Sequence, residues 1–318
     1  MFKNLLSALL LSITCFSVSF AKTGHIAIEW NEQVLEAIRN DFARPTIHAR
    51  NLMHSSAIMY DCWAAYDTTS SQQYFLGNTV GDFEILFDFE NFAPNIPANT
   101  MDRIMAQEVA MSYGVYRLIK HRYFNSPQSV ATMSNISQQM ALQGLDTLVV
   151  STDYLNDGPP ALGNYIAEQI IAFGLQDGSN EVNDYGNLCY TSNNPNILPE
   201  NPGTAGIVDP NSWQPIELSV AIDQSGELIT EVPPFLGPEW GNVQGFALRD
   251  SNLTQLTRDA CVYKTYHNPG PPVYIDTTVA SNFDESDYKW GFGMVIKWSE
   301  HLDPNDGVMW DISPASLK

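Results

Sequence analysis

Apolar residues recur with a helical period through the first half of the chain, and the period breaks up after Gly174. Glu29 to Phe42 carries Trp30, Val34, Ile38 and Phe42 at every fourth position, which predicts a first amphipathic helix. Pro45 opens the next tract, where its missing N–H costs nothing. From there to Asp67 the chain has no further Gly or Pro, and Ile47, Leu52, Met53, Met59, Tyr60, Trp63 and Tyr66 supply apolar bulk. That predicts a long central helix with few solvated positions. A third helix is expected from an Asn99 or Thr100 cap to about Phe124, through Ile104, Val109, Val115, Leu118 and Ile119. A fourth should open at Ser126-Pro127 and run to about Leu145, and a fifth should open at Pro159-Pro160, with Leu162, Ile166, Ile170 and Phe173 inward. Residues 68–99, between the second and third helices, read as an ordered loop with a short strand.

From Asp177 to about Ala280, Gly, Pro and Asn punctuate the chain, yet Trp213, Phe235, Trp240, Phe246, Tyr263 and Tyr266 give it much to bury. This predicts an ordered excursion with short β pieces, Ile216 to Ile222 and Leu228 to Val232. Helix returns at Asp284 to His301, with Trp290, Met294, Val295 and Trp298 as the packing side. The fold class expected is mainly α: a helical bundle with long ordered Pro/Gly/Asn-rich loops and a few short β pieces. Its divisions are a signal peptide over 1–21, a bundle over 22–176, the excursion over 177–283, and a returning helix with a truncated-looking end over 284–318.

The first division rests on Lys3, an apolar core from Leu5 to Phe16, and the small-x-small site Ser19-Phe20-Ala21, which together predict export with cleavage after Ala21. Charge narrows the partners. Asp plus Glu number 36 against 15 Lys plus Arg, a net −21, so nucleic acid and anionic membrane are not expected as partners. Past the signal, Cys62, Cys189 and Cys261 lack the paired spacing of a zinc site. Cys189 and Cys261 share the loop-rich half and are the pair a disulfide would join, whereas Cys62 reads as a buried hydrophobe.

Within the central helix, Arg50, His54 and Asp61 fall at steps of four and seven, with Ala57 in the gap, so they share one face. Charged groups on a buried helix need partners. Either they form a buried polar network fixing register, or they act as a cation, base and carboxylate in a hydrolase site. The acidic stretch Asp177, Asn180, Glu181 and Asp184 offers the hard oxygen ligands that calcium takes. Val182 stands where an EF-hand needs glycine, and a solvated turn is the other reading. There is no H-E-x-x-H, G-x-S-x-G or P-loop motif.

Five stretches in order are similar to one family: WNEQVLEAIRNDFARPTIHARNLMHSSAIMYDCWAAYD, IIAFGLQDGSNEVNDYGN, DPNSWQPIEL, PPFLGPEWGNVQGFAL and WSEHLDPNDGVMWDISPAS. From about Trp30 to the last residue, the chain resembles the N-terminal part of large exported bacterial proteins related to vanadium-dependent haloperoxidases, within the acid-phosphatase/haloperoxidase superfamily. The resemblance implies an all-α bundle with decorated loops, and an enzyme that uses vanadate and peroxide to oxidise halide. The family's anion site needs a Lys and Arg segment ending in Arg-Pro, then Ser-Gly-His, then an Arg followed by a His. Here Arg44-Pro45 supplies the dipeptide, but Ala37 stands where Lys is needed. Gly24-His25 follows Thr23 rather than Ser and precedes Arg44, and Arg50 and His54 are closer together than the family's final pair. The expectation is therefore a chain without an anion site of its own and inactive alone. In a complete relative the vanadate-binding half would follow the DISPAS-like segment, at which this chain ends. Its partner would be that missing half, another chain or a second copy. The alternatives are a non-catalytic exported scaffold that binds through Trp213 to Trp240, and the hydrolase using Arg50, His54 and Asp61.

Overall fold

The computed structural model describes residues 25–69, 72–199, 206–223, 226, 228–229, 232–268, 270, 274, 287–311 and 313. The predicted signal peptide lies outside them, as do Gly24, parts of the predicted strand 228–232 and most of the DISPAS segment. The described fold is mainly α, with 45% helix and only two-stranded sheets. The chain divides into two compact units, one running through Gly186 and the other comprising Asn187–Ala221 and Leu228 onward.

In the first unit, α1 (Ile26–Arg39) begins on His25, whose Nδ1 accepts from the amide of Ala27. The central helix α2 (Pro45–Ala65) starts on its proline, as the sequence predicts. A short hairpin of β1 (Thr79–Val80) and β2 (Phe83–Glu84) and a one-turn helix α3 (Phe89–Phe92) fill the connection to α4 (Thr100–Arg122), capped by Asn99. α5 (Ser129–Leu142) and α6 (Gly158–Gly174) complete the bundle. No helix among the described residues is long and apolar enough to cross a membrane.

Backbone proximity explains why three of these helices can share one core. A Cβ on Gly163 of α6 would lie 2.1 Å from the carbonyl oxygen of Ala110 in α4, and one on Gly114 of α4 would lie 2.4 Å from Ile58 of α2. Glycine at both sites lets α4 and α6 touch main chain to main chain, with α2 closing over them. Around this crossing Trp30, Ile58, Cys62, Val115, Ile119, Ile136, Met140 and Leu162 are buried. Ser112 links two groups there: Trp30 Nε1 donates to Ser112 Oγ at 2.9 Å, and Ser112 donates to Gln143 Oε1 at 2.6 Å. Phe75 reaches in from the connection, its ring centre 4.9 Å from that of Phe173, in an edge arrangement suited to aromatic quadrupoles.

The second unit departs from expectation in its strands. Among the described residues the predicted pieces Ile216–Ile222 and 228–232 form no regular strands: Ile216 bridges Ile197 in parallel, Ile222 and Leu228 take isolated bridge conformation, and the Ile229 amide donates to the Ala221 carbonyl at 2.9 Å. The regular hairpin is instead β3 (Thr254–Arg258) with β4 (Cys261–Thr265), paired in register from Thr254–Thr265 to Arg258–Cys261. Its two-residue turn, Asp259-Ala260, has φ of 50° and 65°, the positive pair that a tight hairpin matching strand twist requires. Cys189 and Cys261 are joined by a disulfide. Next to it, the Glu239 carboxylate accepts from the amides of Leu188, Cys189 and Tyr190. Helix α7 (Asp287–Ser299) lies close to its predicted span, but Trp290, Val295 and Trp298 are exposed rather than packed.

Candidate functional site

The most concentrated chemistry in the first unit lies where α2, the C-terminal turn of α4 and the segment after α6 meet. Arg50 and His54 project from α2, one turn apart. The Arg50 Nε donates to Asp177 Oδ2 at 2.5 Å, while its Nη2 donates to Glu181 at 2.7 Å and to the Gly174 carbonyl at 2.8 Å. Arg122, at the end of α4, donates to Asn51 at 2.6 Å and to His54 Nδ1 at 3.0 Å. Its Nε also stands 3.0 Å from Glu181, an ion contact off the hydrogen-bonding direction. His121 meets the same carboxylate at 3.0 Å. The side chains of Arg50, His54, Arg122 and Asp177 are all nearly inaccessible to solvent.

Two local features make this convergence possible. A Cβ on Gly174 would sit 2.5 Å from the Arg122 guanidinium and 2.7 Å from that of Arg50, so glycine as the last residue of α6 leaves both guanidinium groups room to converge. Beyond it, Asn180, Asp184 and Tyr185 take left-handed φ values of 59°, 50° and 62°. For a residue as bulky as Tyr185 this is strained, at a cost of roughly 1–3 kcal/mol. The bend sets Glu181 against the arginines and brings the Tyr185 ring centre 5.2 Å from the Arg44 guanidinium and 5.8 Å from that of Arg50. Arg44 also pairs with Asp184 at 2.9 Å.

The electrostatics follow from burial and pairing. Burial alone would lower the basicity of Arg50, but Asp177 and Glu181 outweigh it and the net shift is upward. Burial would raise Glu181, yet His121, Arg122 and Arg50 together hold its carboxyl at about 2. His54 is pushed well below its ordinary value, first by burial and then by Arg122 and Arg50. Because Nδ1 accepts from Arg122, the hydrogen-bond network assigns the proton of the neutral ring to Nε2, which lies 3.9 Å from Asp177 Oδ2.

These shifts give the unit a defined acid response. Between the ordinary His value near 6.5 and its lower folded value, the unfolded chain binds one more proton than the folded one. Stability should therefore fall by about 1.4 kcal/mol per pH unit as pH drops below about 6.5. Glu181 works in the carboxylate sense: its contribution is full above its ordinary 4.5 and is lost as pH falls toward about 2. Thermal melts between pH 8 and pH 5 should show the His54 slope, and His54→Asn, which keeps an acceptor for Arg122, should flatten it. Equal slopes in the two proteins would contradict this assignment.

The sequence-predicted residues divide here. Arg50 and His54 come together, but Asp61, although on the same face, is seven residues and about 10 Å farther along the helix axis. It accepts from the amides of Tyr74, Phe75 and Leu76 at 2.6, 2.8 and 3.0 Å, latching the connection onto α2. A hydrolase built on Arg50, His54 and Asp61 therefore lacks its carboxylate. Among the calcium candidates, Asp177, Glu181 and Asp184 are each engaged by arginine, and Asn180 donates to the Gly186 carbonyl and accepts from Asn183. No group of three or more His, Cys, Asp or Glu among the described residues is placed to hold a metal. A vanadate site does not fit either, because the carboxylates of Asp177 and Glu181 already occupy the anion side of both buried arginines. Sequence reasoning misses Arg122, His121 and Tyr185. Arg122 did leave a signal: it lies four residues after Leu118 and three after Ile119, on their buried stripe. No family model matches this chain, and neither does any curated protein.

Proposed function

We propose that this chain is the N-terminal helical region of a vanadium-dependent haloperoxidase-like protein, and that it supplies scaffold rather than an oxyanion site. Peroxide-driven halide oxidation would belong to a complete relative, with vanadate held by residues other than those of this helical region. The observation that carries the reading is the internal neutralisation of the buried cations. Arg50 is matched by Asp177 and Glu181, and Arg122 by Glu181, so a multiply charged oxyanion entering there would meet two carboxylates. Repulsion of that kind in a low-dielectric site outweighs what the shared arginines could return. The ordered resemblance supports the family. The exposed apolar side chains of α7, Trp290, Val295, Ile296 and Trp298, form the kind of surface a further layer of helices covers.

Vanadium NMR of orthovanadate titrated with the purified chain, beside a peroxide-and-bromide oxidation assay, tests this directly. The expected result is an unshifted vanadate signal and no oxidation above buffer. Vanadate-dependent turnover by this chain alone would overturn the proposal.

A further inference from the structure

A cleft of about 670 Å³ opens between α4 and α6, walled by Arg117, Lys120 and Phe124 on one side and Val150, Glu168 and Ile171 on the other. Its size falls within the range of small-molecule sites. What marks it out is charge, in a chain with 36 acidic residues against 15 Lys plus Arg. Most arginines of the first unit are neutralised: Arg39 by Glu36, Arg44 by Asp184, Arg50 by Asp177, and Arg122 by Glu181. Arg117 is not. Its Nε donates to Asn164 and its Nη2 to the carbonyls of Thr147 and Val149, partners that orient the guanidinium without cancelling its charge. One turn on, Lys120 is exposed and stands 5.9 Å from the Tyr116 ring centre, with no carboxylate paired to it among the described residues. Phe124 and Val150 are 64% and 67% exposed at the same opening.

We propose that this cleft binds a small organic monocarboxylate with an apolar body. The uncompensated pair Arg117 and Lys120 takes the carboxylate, where charge-assisted hydrogen bonds are strong. Phe124, Val150 and Ile171 take the apolar part, removing their surface from water. Glu168 on the facing wall sets the charge limit, since it repels a dianion while one carboxylate can be held against the two cations. The ligand is therefore a carboxylic acid rather than a phosphate ester or a polyanion.

Calorimetry and amide NMR on the full chain test this with phenylacetate, against acetate, phenylphosphonate and benzyl alcohol. Phenylacetate should bind saturably, with shifts confined to the cleft, and the three controls should bind at least tenfold more weakly. Lys120→Glu and Phe124→Ser are surface changes that leave the bundle folded by circular dichroism, and each should weaken phenylacetate at least tenfold. Absence of phenylacetate binding, undiminished binding in Lys120→Glu, or tighter binding of phenylphosphonate would each overturn the proposal.

Discussion

Replacing Arg50 with Met should lower the stability of the helical unit by about 3–5 kcal/mol, measured by urea unfolding at pH 7. The cost comes less from the lost bonds than from what stays behind. Asp177, whose side chain is 1% exposed, would be left buried without its nearest cation. The Gly174 carbonyl would also lose a buried donor. Arg50→Met with Asp177→Leu should recover most of the loss, because replacing both partners of a buried pair leaves no orphan charge. By contrast the exposed Arg39–Glu36 pair, with side chains 59% and 42% accessible, should yield under about 1 kcal/mol when broken. A loss under about 1 kcal/mol at Arg50 would show that water reaches the network and that it does not hold the segment after α6.

Gly163→Ala is the second large effect, and two opposed terms decide its sign. Alanine favours the helical backbone of α6 by about 1 kcal/mol. Its methyl, however, would lie 2.1 Å from the Ala110 carbonyl oxygen and 3.0 Å from the Gly114 amide nitrogen. Both obstacles are main chain, so no rotamer change relieves them and α4 must move away from α6. Overpacking of this kind typically costs about 1–3 kcal/mol or more, and with a backbone obstacle the upper end applies. The net expectation is a loss on the order of 2 kcal/mol, read as a lowered melting temperature. Gly291→Ala is the matched control, since that site in α7 has open space around it and should gain from helix propensity alone. Equal effects at the two positions would mean that the α4–α6 crossing is not held by backbone contact.

Much of the bundle was legible because its helices obey local rules. Asn99 caps α4 and Pro45 opens α2 through contacts within a few residues, and the apolar period is set within each turn. The polar face of α2 was also readable as needing partners. Which partners was not, because Asp177 and Glu181 lie 127 and 131 residues away from Arg50, and no spacing rule spans that distance. Asp61 misled for a related reason: it shares a face with His54 but is consumed by three amides of the following loop. The β3–β4 hairpin was hidden by chemistry, since its positive-φ turn is Asp259-Ala260 and carries no glycine. Helix α7 shows the limit of periodicity, which identifies an apolar stripe but not whether anything in the same unit covers it.

The buried ion network also bears on the order in which the unit assembles. Its acidic half arrives on residues 177–184, whereas its basic half is set by α2 and the end of α4. Closing so long a loop costs entropy that must be met before the ion pairs can form. Helices α2, α4 and α6 can dock through the Gly114 and Gly163 crossing without them. A network that closes after the bundle docks is expected to show itself in the rates: Asp177→Asn should speed unfolding and leave refolding nearly unchanged in stopped-flow measurements.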